Sequence, residues 1–247
     1  MDSPAVLRSG GQQEFHPAMI QARFAVTASV VLVSALAAPA SAALVTVGPG
    51  GTASGFQFAE VADAIAFASA GDTIYVQARA VDGAQHSYAG FDLGLAQQGV
   101  SMEWGNSPGI IEVGGNMRVG PNADMLFELG GTNNSQALSS GRVQYDTVFV
   151  TGNFRLEGML NLVNFNGFAP ALGHSFELVA TSGSVTWTGA FDLHFTAPAL
   201  ASGLSWQYSV GTGTLGGQSI FASVVPAPGA IALLGVAGLA AACRRRR

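Results

Sequence analysis

Lysine is absent from this 247-residue chain, so its ten basic residues are all arginine, and only 10% of positions carry a charge. Cysteine occurs once, at Cys243. A lone thiol excludes an internal disulfide and any paired-cysteine zinc site, so an exported body of this chain must be held together by its core. His86, His174 and His194 stand far apart and form no H-E-x-x-H pattern, which predicts surface histidines and no metal centre. Between Ala43 and Val225 four arginines, Arg79, Arg118, Arg142 and Arg155, face thirteen acids, a formal charge near −9. Such a surface stays soluble and excludes nucleic acid and anionic lipid as partners.

The chain is rich in apolar residues, at 49%, and they concentrate at its two ends. Phe24 to Ala40 reads FAVTASVVLVSALAAPA, preceded by Arg23 and followed by Ser41-Ala42. The run is shorter than the roughly 20 residues a membrane helix prefers, and Pro39 breaks it beside small residues. That is the pattern of a secretory signal with an A-x-A site. It predicts residues 1–42 as the signal peptide, recognised through Ala40 and Ala42 and cut before Ala43 by signal peptidase. The segment before Met19 carries Asp2, Glu14 and Pro17, an odd leader start, so translation is expected to begin at Met19.

Residues 225–247 read VPAPGAIALLGVAGLAAACRRRR. Pro226 and Pro228 oppose helix and are expected to hold the approach to the membrane extended, where a protease can grip it. The uncharged stretch Gly229–Cys243 would rise about 22 Å as a helix at 1.5 Å per residue. That is short for a hydrocarbon core of about 30 Å but is predicted to span it. Arg244, Arg245, Arg246 and Arg247 then stop transfer and stay cytoplasmic. Cys243 at that edge reads as a small apolar residue. With a leader in front, residues 43–224 lie outside the membrane.

A proline motif, a short span and a terminal arginine cluster in a signal-bearing chain resemble the PEP-CTERM sorting signal. The resemblance makes Val225, Pro226, Ala227 and Pro228 the sorting motif, with Ala227 where the commonest form has Glu. It implies cleavage near the prolines by an exosortase, a membrane-embedded cysteine protease. Delivery to the cell surface or an exopolysaccharide matrix follows. A C-terminal anchor that is never cut is the alternative.

In the body, Phe58, Val61, Ala62 and Ile65 recur at helical spacing and Gly71 is placed to close the helix as its C′ residue. The rest reads as strand. TIYV (73–76), IIEV (110–113), MLFEL (125–129), TVFV (147–150) and FRLEGMLNLV (154–163) are short and bounded by Gly, Asn, Asp and Pro. In the last, Phe154, Leu156, Leu160 and Leu162 alternate with Arg155, Glu157 and Asn161, the signature of a half-buried sheet.

VADAIAFASAGDTIYV (61–76) resembles the opening of right-handed parallel β-helix proteins, through Val61, Ala64, Ile65, Ala68, Gly71, Asp72, Thr73, Ile74 and Val76. The resemblance implies a helix capping the exposed end of a solenoid. Tyr145–Trp206 is similar to the C-terminal region of β-helical autotransporter-type and PEP-CTERM passengers. The matching positions are Asp146, Val150, Gly152, Leu156, Gly158, Leu160, Gly167, Pro170, Gly173, Phe176, Gly189, Phe191, Pro198, Gly203, Leu204 and Trp206. The expected fold is therefore all-β, a right-handed parallel β-helix with a short capping helix. A signal-peptide helix and a C-terminal transmembrane helix flank it. At about 25 residues per coil, roughly seven coils fit. A β-sandwich or jelly roll is the alternative, since the same alternation permits it.

Motifs of chemistry are sparse, and no catalytic, cofactor or metal residue is assigned. Asp72 reads as a turn residue bonding nearby amides. GTGTLG (211–216) fits G-x-G-x-x-G but precedes the strand-like QSIFASVV, so it reads as a turn and holds no pyrophosphate. GHSFE (173–177) lacks the second glycine of a nucleophile elbow. Tyr88, Trp104 and Trp187 are candidates either for stacking on sugars or for filling the core. The function expected is a surface or matrix protein, structural or adhesive, with exopolysaccharide as its partner. The alternative is a polysaccharide lyase or glycoside hydrolase, which needs clustered carboxylates or an arginine base. Asp72, Asp82 and Asp92 fall at ten-residue spacing, and Arg79 and Arg118 are the bases in that half.

Overall fold

The computed structural model describes residues 42–77, 87–95, 100–105, 108–134 and 143–229. In chain order these form β1 (Leu44–Val47), α1 (Val61–Phe67), β2 (Thr73–Gln77), β3 (Ser87–Asp92), β4 (Val100–Gly105), β5 (Ile110–Val119) and β6 (Ala123–Leu129). There follow β7 (Thr147–Val150), β8 (Phe154–Leu156), β9 (Met159–Asn164), β10 (Ser175–Thr181), β11 (Val185–Trp187), β12 (Phe195–Thr196), β13 (Leu204–Thr212) and β14 (Gln218–Pro226). The described residues are β-rich, about half of them strand.

The two-residue period of the sequence decides which side chains turn inward. In β6 Ala123, Met125, Phe127 and Leu129 are buried while Asp124, Leu126 and Glu128 alternate outward. Parallel pairing in register aligns such residues across strands: Val45, Ile74, Met102, Met125, Leu160 and Phe195 form one inward row. Each large side chain so buried stabilises the fold by about 1.5–3 kcal/mol. The row belongs to a six-stranded sheet in the order β1-β2-β4-β6-β9-β12, parallel throughout.

The second sheet runs β11-β8-β5-β7-β10-β14-β13, with β3 also on β5. Its strands from β3 to β11 pair in parallel, but β14 lies antiparallel to both β10 and β13. The ten-residue β5 pairs with β3 along one edge and along the other serves β7 through Ile110–Val113 and β8 through Met117–Val119. The inner faces of both sheets share one apolar core.

The right-handed parallel β-helix expected from the sequence is not the architecture present. The second sheet mixes parallel and antiparallel pairs, and the arrangement is nearly closed and barrel-like. The cause is local. A tight turn, in which Gly213 N–H donates to Gly217 O and Gly216 N–H to Gly213 O, folds β14 back on β13 as a hairpin of nine residue pairs. Nor is it a jelly roll, which is antiparallel throughout.

Two smaller expectations also shift. The buried stripe of α1 is Val61, Ala64, Ile65 and Ala68; Ala62 faces solvent, and Gly71 (φ +90°) belongs to the turn before β2, while Ala68 caps the helix. The segment 154–163 is two strands, β8 in the second sheet and β9 in the first. The break falls at Gly158, where any Cβ would be driven into the carbonyl oxygens of Gly120 and Ala123. Residues 1–41 of the predicted signal peptide 1–42, and the predicted span beyond Gly229, lie outside the described residues. Among the described residues no helix is long and apolar enough to cross a membrane.

Candidate functional site

The two predicted processing points sit at the two ends of the folded body. At the amino end Ala42 and Ala43 are exposed, immediately before β1; Ala40 lies outside the described residues. Ala43 is held at both its polar groups. Its N–H donates to Asp72 Oδ1 at 2.8 Å, and its carbonyl accepts the Thr73 N–H at 2.9 Å. Asp72 Oδ2 accepts the Ser69 N–H at 2.8 Å, the turn role expected of it. The amides of Ala43 and then Ser69 hold the Asp72 carboxyl below the usual carboxylate range.

At the carboxyl end the expected extended approach is only half present. Val225 and Pro226 complete β14, paired with Ser205 and Leu204, and the Ala227 N–H donates to Gly203 O at 2.8 Å. Proline is tolerated there because the pairing with β10 ends at Ser223, which leaves β14 with one open edge at Pro226. Pro228, expected to oppose helix, and Gly229 have helical conformation and are exposed. A first-turn proline lacks only an N–H that the helix leaves unpaired anyway. The folded body thus reaches two residues past the expected boundary at 224. Arg244, Arg245, Arg246, Arg247 and Cys243 lie outside the described residues.

The acids and bases proposed for sugar chemistry are occupied where they are described. Asp92 and Arg118 stand in register across β3 and β5, and Arg118 Nη1 donates to both Asp92 oxygens at 3.1 Å. Arg118 also donates through Nε to Glu157 at 3.0 Å, and Arg155 donates to the same carboxylate through its Nε at 2.7 Å. The Arg118 hydrogen bond, then those of its partner Arg155, hold Glu157 below the usual range; Glu157 and then Asp92 push Arg118 up, away from a base's task. Asp72 is used by the amides above. Arg79 and Asp82 lie outside the described residues.

Sequence reasoning gave no hydrogen-bonding role to Asp146, named there only as a position of the passenger resemblance, and placed His194 wrongly. Asp146 is completely buried, its Oδ1 accepting the Gly109 N–H and its Oδ2 the Glu128 N–H, both at 2.6 Å. Burial pushes its carboxyl up to about 8, against the pull of those two amides. His194, expected at the surface, is buried between two carbonyls, Nδ1 at 2.7 Å from Gly158 O and Nε2 at 2.6 Å from Thr188 O. The F-D-L-H run gave no signal of this, because both partners are backbone atoms. His174 is half-buried, its Nδ1 accepting the Ala171 N–H at 3.0 Å, and His86 lies outside the described residues.

The aromatic candidates separate. Tyr88 is core, 1% exposed, its hydroxyl donating to Gln77 O at 2.8 Å. Trp187 is 42% exposed at the end of the edge strand β11, its ring 4.8 Å from that of Phe191, with Leu193 exposed nearby in sequence. Nothing is described of the Trp104 side chain. On the outer face of the first sheet Ser101 and Asn161 donate to Asp124 at 2.9 Å, and Thr196 donates to Asn161 at 2.6 Å, a neutral-to-acidic polar strip over four strands. GTGTLG is the β13–β14 hairpin turn, where Thr214 N–H donates to the Glu177 carboxylate at 2.8 Å, and it has no helix to receive a phosphate. Among the described residues no three metal-ligating side chains converge. No protein-family model matches the chain, and no curated protein matches it.

Proposed function

We propose that this is an exported protein of the cell surface or exopolysaccharide matrix, with a structural or adhesive role. Signal peptidase removes the leader before Ala43. An exosortase-type membrane protease acts on the Val225–Pro228 motif, ahead of a C-terminal span and the Arg244–Arg247 stop-transfer cluster. The observation that carries this reading is positional: both junctions read from the sequence abut the folded body, one directly before β1 and the other at the end of β14. A leader and a tail can both be lost without breaking a strand, provided the second cut falls beyond Ala227, whose N–H still bonds the body. The acidic body suits a soluble exported surface, and Trp187 offers an aromatic contact to a partner.

Intact mass of the native protein from envelope and medium fractions tests the reading. The expected mature chain starts at Ala43 and ends after Ala227. A chain that still ends in Arg247 removes sorting and leaves a C-terminally anchored protein. A chain that ends before Val225 contradicts the placement of the cut, since it would strip paired residues from β14.

A further inference from the structure

In the precursor the Ala43 nitrogen is an amide, and its hydrogen bond to Asp72 joins the first strand to the turn ahead of the second. Hydrolysis of the Ala42–Ala43 peptide bond changes that nitrogen. Water adds across the bond, its oxygen going to the Ala42 carbonyl carbon to give a carboxylate, and its protons leaving the Ala43 nitrogen as an ammonium group. We propose that Asp72 is the built receptor for this ammonium, so that removing the leader converts an amide-to-carboxylate hydrogen bond into an ion pair that fastens β1. The inference rests on the export reading for its cleavage and on the geometry for its partner.

The geometry supplies what such a receptor needs. Asp72 is 7% exposed, and its second oxygen is fixed by the Ser69 N–H, so the carboxylate is already aimed before the cut. Ala43 is held in place independently by the Thr73 N–H on its carbonyl. Ala42 and Ala43 are exposed, which leaves the bond open to a peptidase. The amide-to-carboxylate bond of the precursor is already charge-assisted, and the ammonium sets a full opposite charge against Asp72. A cut one residue earlier would carry the ammonium about 3.8 Å along the chain, out of reach of the prepared contact.

Among the described residues, the other ionisable ones on the neighbouring elements are Glu60 and Asp63 on or beside α1, Tyr75 on β2, Glu103 on β4, and Asp124 and Glu128 on β6. Acids and one phenol bring no competing cation. The absence of lysine makes a direct experiment possible, because the α-amine is then the only alkyl amine in the mature chain. The exported, processed protein is first weighed, then reductively methylated with 13C-formaldehyde, and its labelled N-terminal resonance is followed against pH. A free α-amine titrates at about 7.7–8.0, and an opposed carboxylate in contact raises it by about one unit or more.

The expected result is a terminus at Ala43 whose folded-state titration lies above that of the same sample in denaturant, the difference vanishing in Asp72→Asn. The denatured reference keeps the test decisive even where that variant does not fold. A terminus at Ala43 with identical folded and denatured titrations overturns the ion pair and spares the export reading. A terminus elsewhere overturns both.

Discussion

Asp146 accepts the backbone N–H of Glu128 at 2.6 Å inside the core, where no solvent reaches its carboxyl. With the opposite oxygen on Gly109, it ties the entry of β7 to the residue before β5 and to β6. Burial raises the carboxyl from 3.8 to about 8, and the nearby Glu128 charge pushes the same way, while the two amides pull back. A raised folded-state value means that the native protein keeps a proton the unfolded chain has lost. The resulting stability is complete below about pH 4 and is lost as pH rises through 8, by at most about 1.4 kcal/mol per pH unit. Urea midpoints are therefore expected to fall between pH 5 and 7.5 in the native protein and to flatten in Asp146→Asn. A midpoint that climbs over this range in the native protein, and flattens in the variant, would mean that the amides keep the group ionised.

The Asp92–Arg118–Glu157–Arg155 network makes the opposite prediction at acid pH. Glu157 lies below its ordinary 4.5, chiefly through Arg118, so its share of stability is present above that value and lost as pH falls beneath it. All four side chains touch solvent to some degree, which keeps the network's worth to about 1 kcal/mol and makes it sensitive to salt. Arg118→Met should lose about that much at pH 7 in low salt and less in 1 M NaCl. Equal losses at both ionic strengths would show that packing of the arginine stem, and not charge, is what was removed.

Gly158 divides what the sequence presents as one strand. Its Cβ position is filled by the carbonyl oxygens of Gly120 and Ala123, so Gly158→Ala must move backbone, at a cost of about 1–3 kcal/mol. Gly167 (φ +72°) has open space around it, and an alanine there meets only the strain of its left-handed conformation. Thermal unfolding should rank Gly158→Ala below Gly167→Ala, each kcal/mol shifting the midpoint by about 2–4 °C in a body of this size. The reverse order would mean that β8 and β9 are separated by something other than this contact.

Strand content was legible because burial follows a period of two that the residues themselves display: TVFV became β7 with both bounds correct, and TIYV became β2 with one residue added. Pairing direction was not legible. Nothing in QSIFASVV distinguishes a parallel from an antiparallel partner, since the same alternating faces serve both, and the choice was made by the Gly213–Gly217 turn. The run IIEV grew to the ten-residue β5 because Gly114 and Gly115 were read as an end; Gly115, at φ +130°, bends the strand without stopping it. Asp72 was readable as a turn residue from its place between Gly71 and Thr73, yet the distant amide it also binds, 29 residues back, was not. The buried roles of Asp146 and His194 escaped for the same reason, their partners being main-chain atoms far along the sequence.

His194 joins the turn between β8 and β9 to the end of β11 through the carbonyls of Gly158 and Thr188. A neutral imidazole donates from one nitrogen only, so one of the two contacts depends on a second proton. With the proton on Nδ1, replacing the ring with an apolar one of similar size leaves the buried Gly158 carbonyl without its donor, which costs about 1–3 kcal/mol. His194→Phe should therefore destabilise more than its volume suggests, while His194→Gln, which retains an N–H₂ donor, should recover part of the loss. The neighbouring aromatic stack supplies a local readout. Phe195 lies 3.9 Å from Tyr208 with nearly parallel rings and Phe191 lies 4.8 Å from Trp187, so loosening this turn should change near-ultraviolet circular dichroism and redden Trp187 emission before global unfolding. If His194→Phe unfolds at the native midpoint with unchanged spectra, the two carbonyls are satisfied without the imidazole, and the histidine is a spacer and not a clamp.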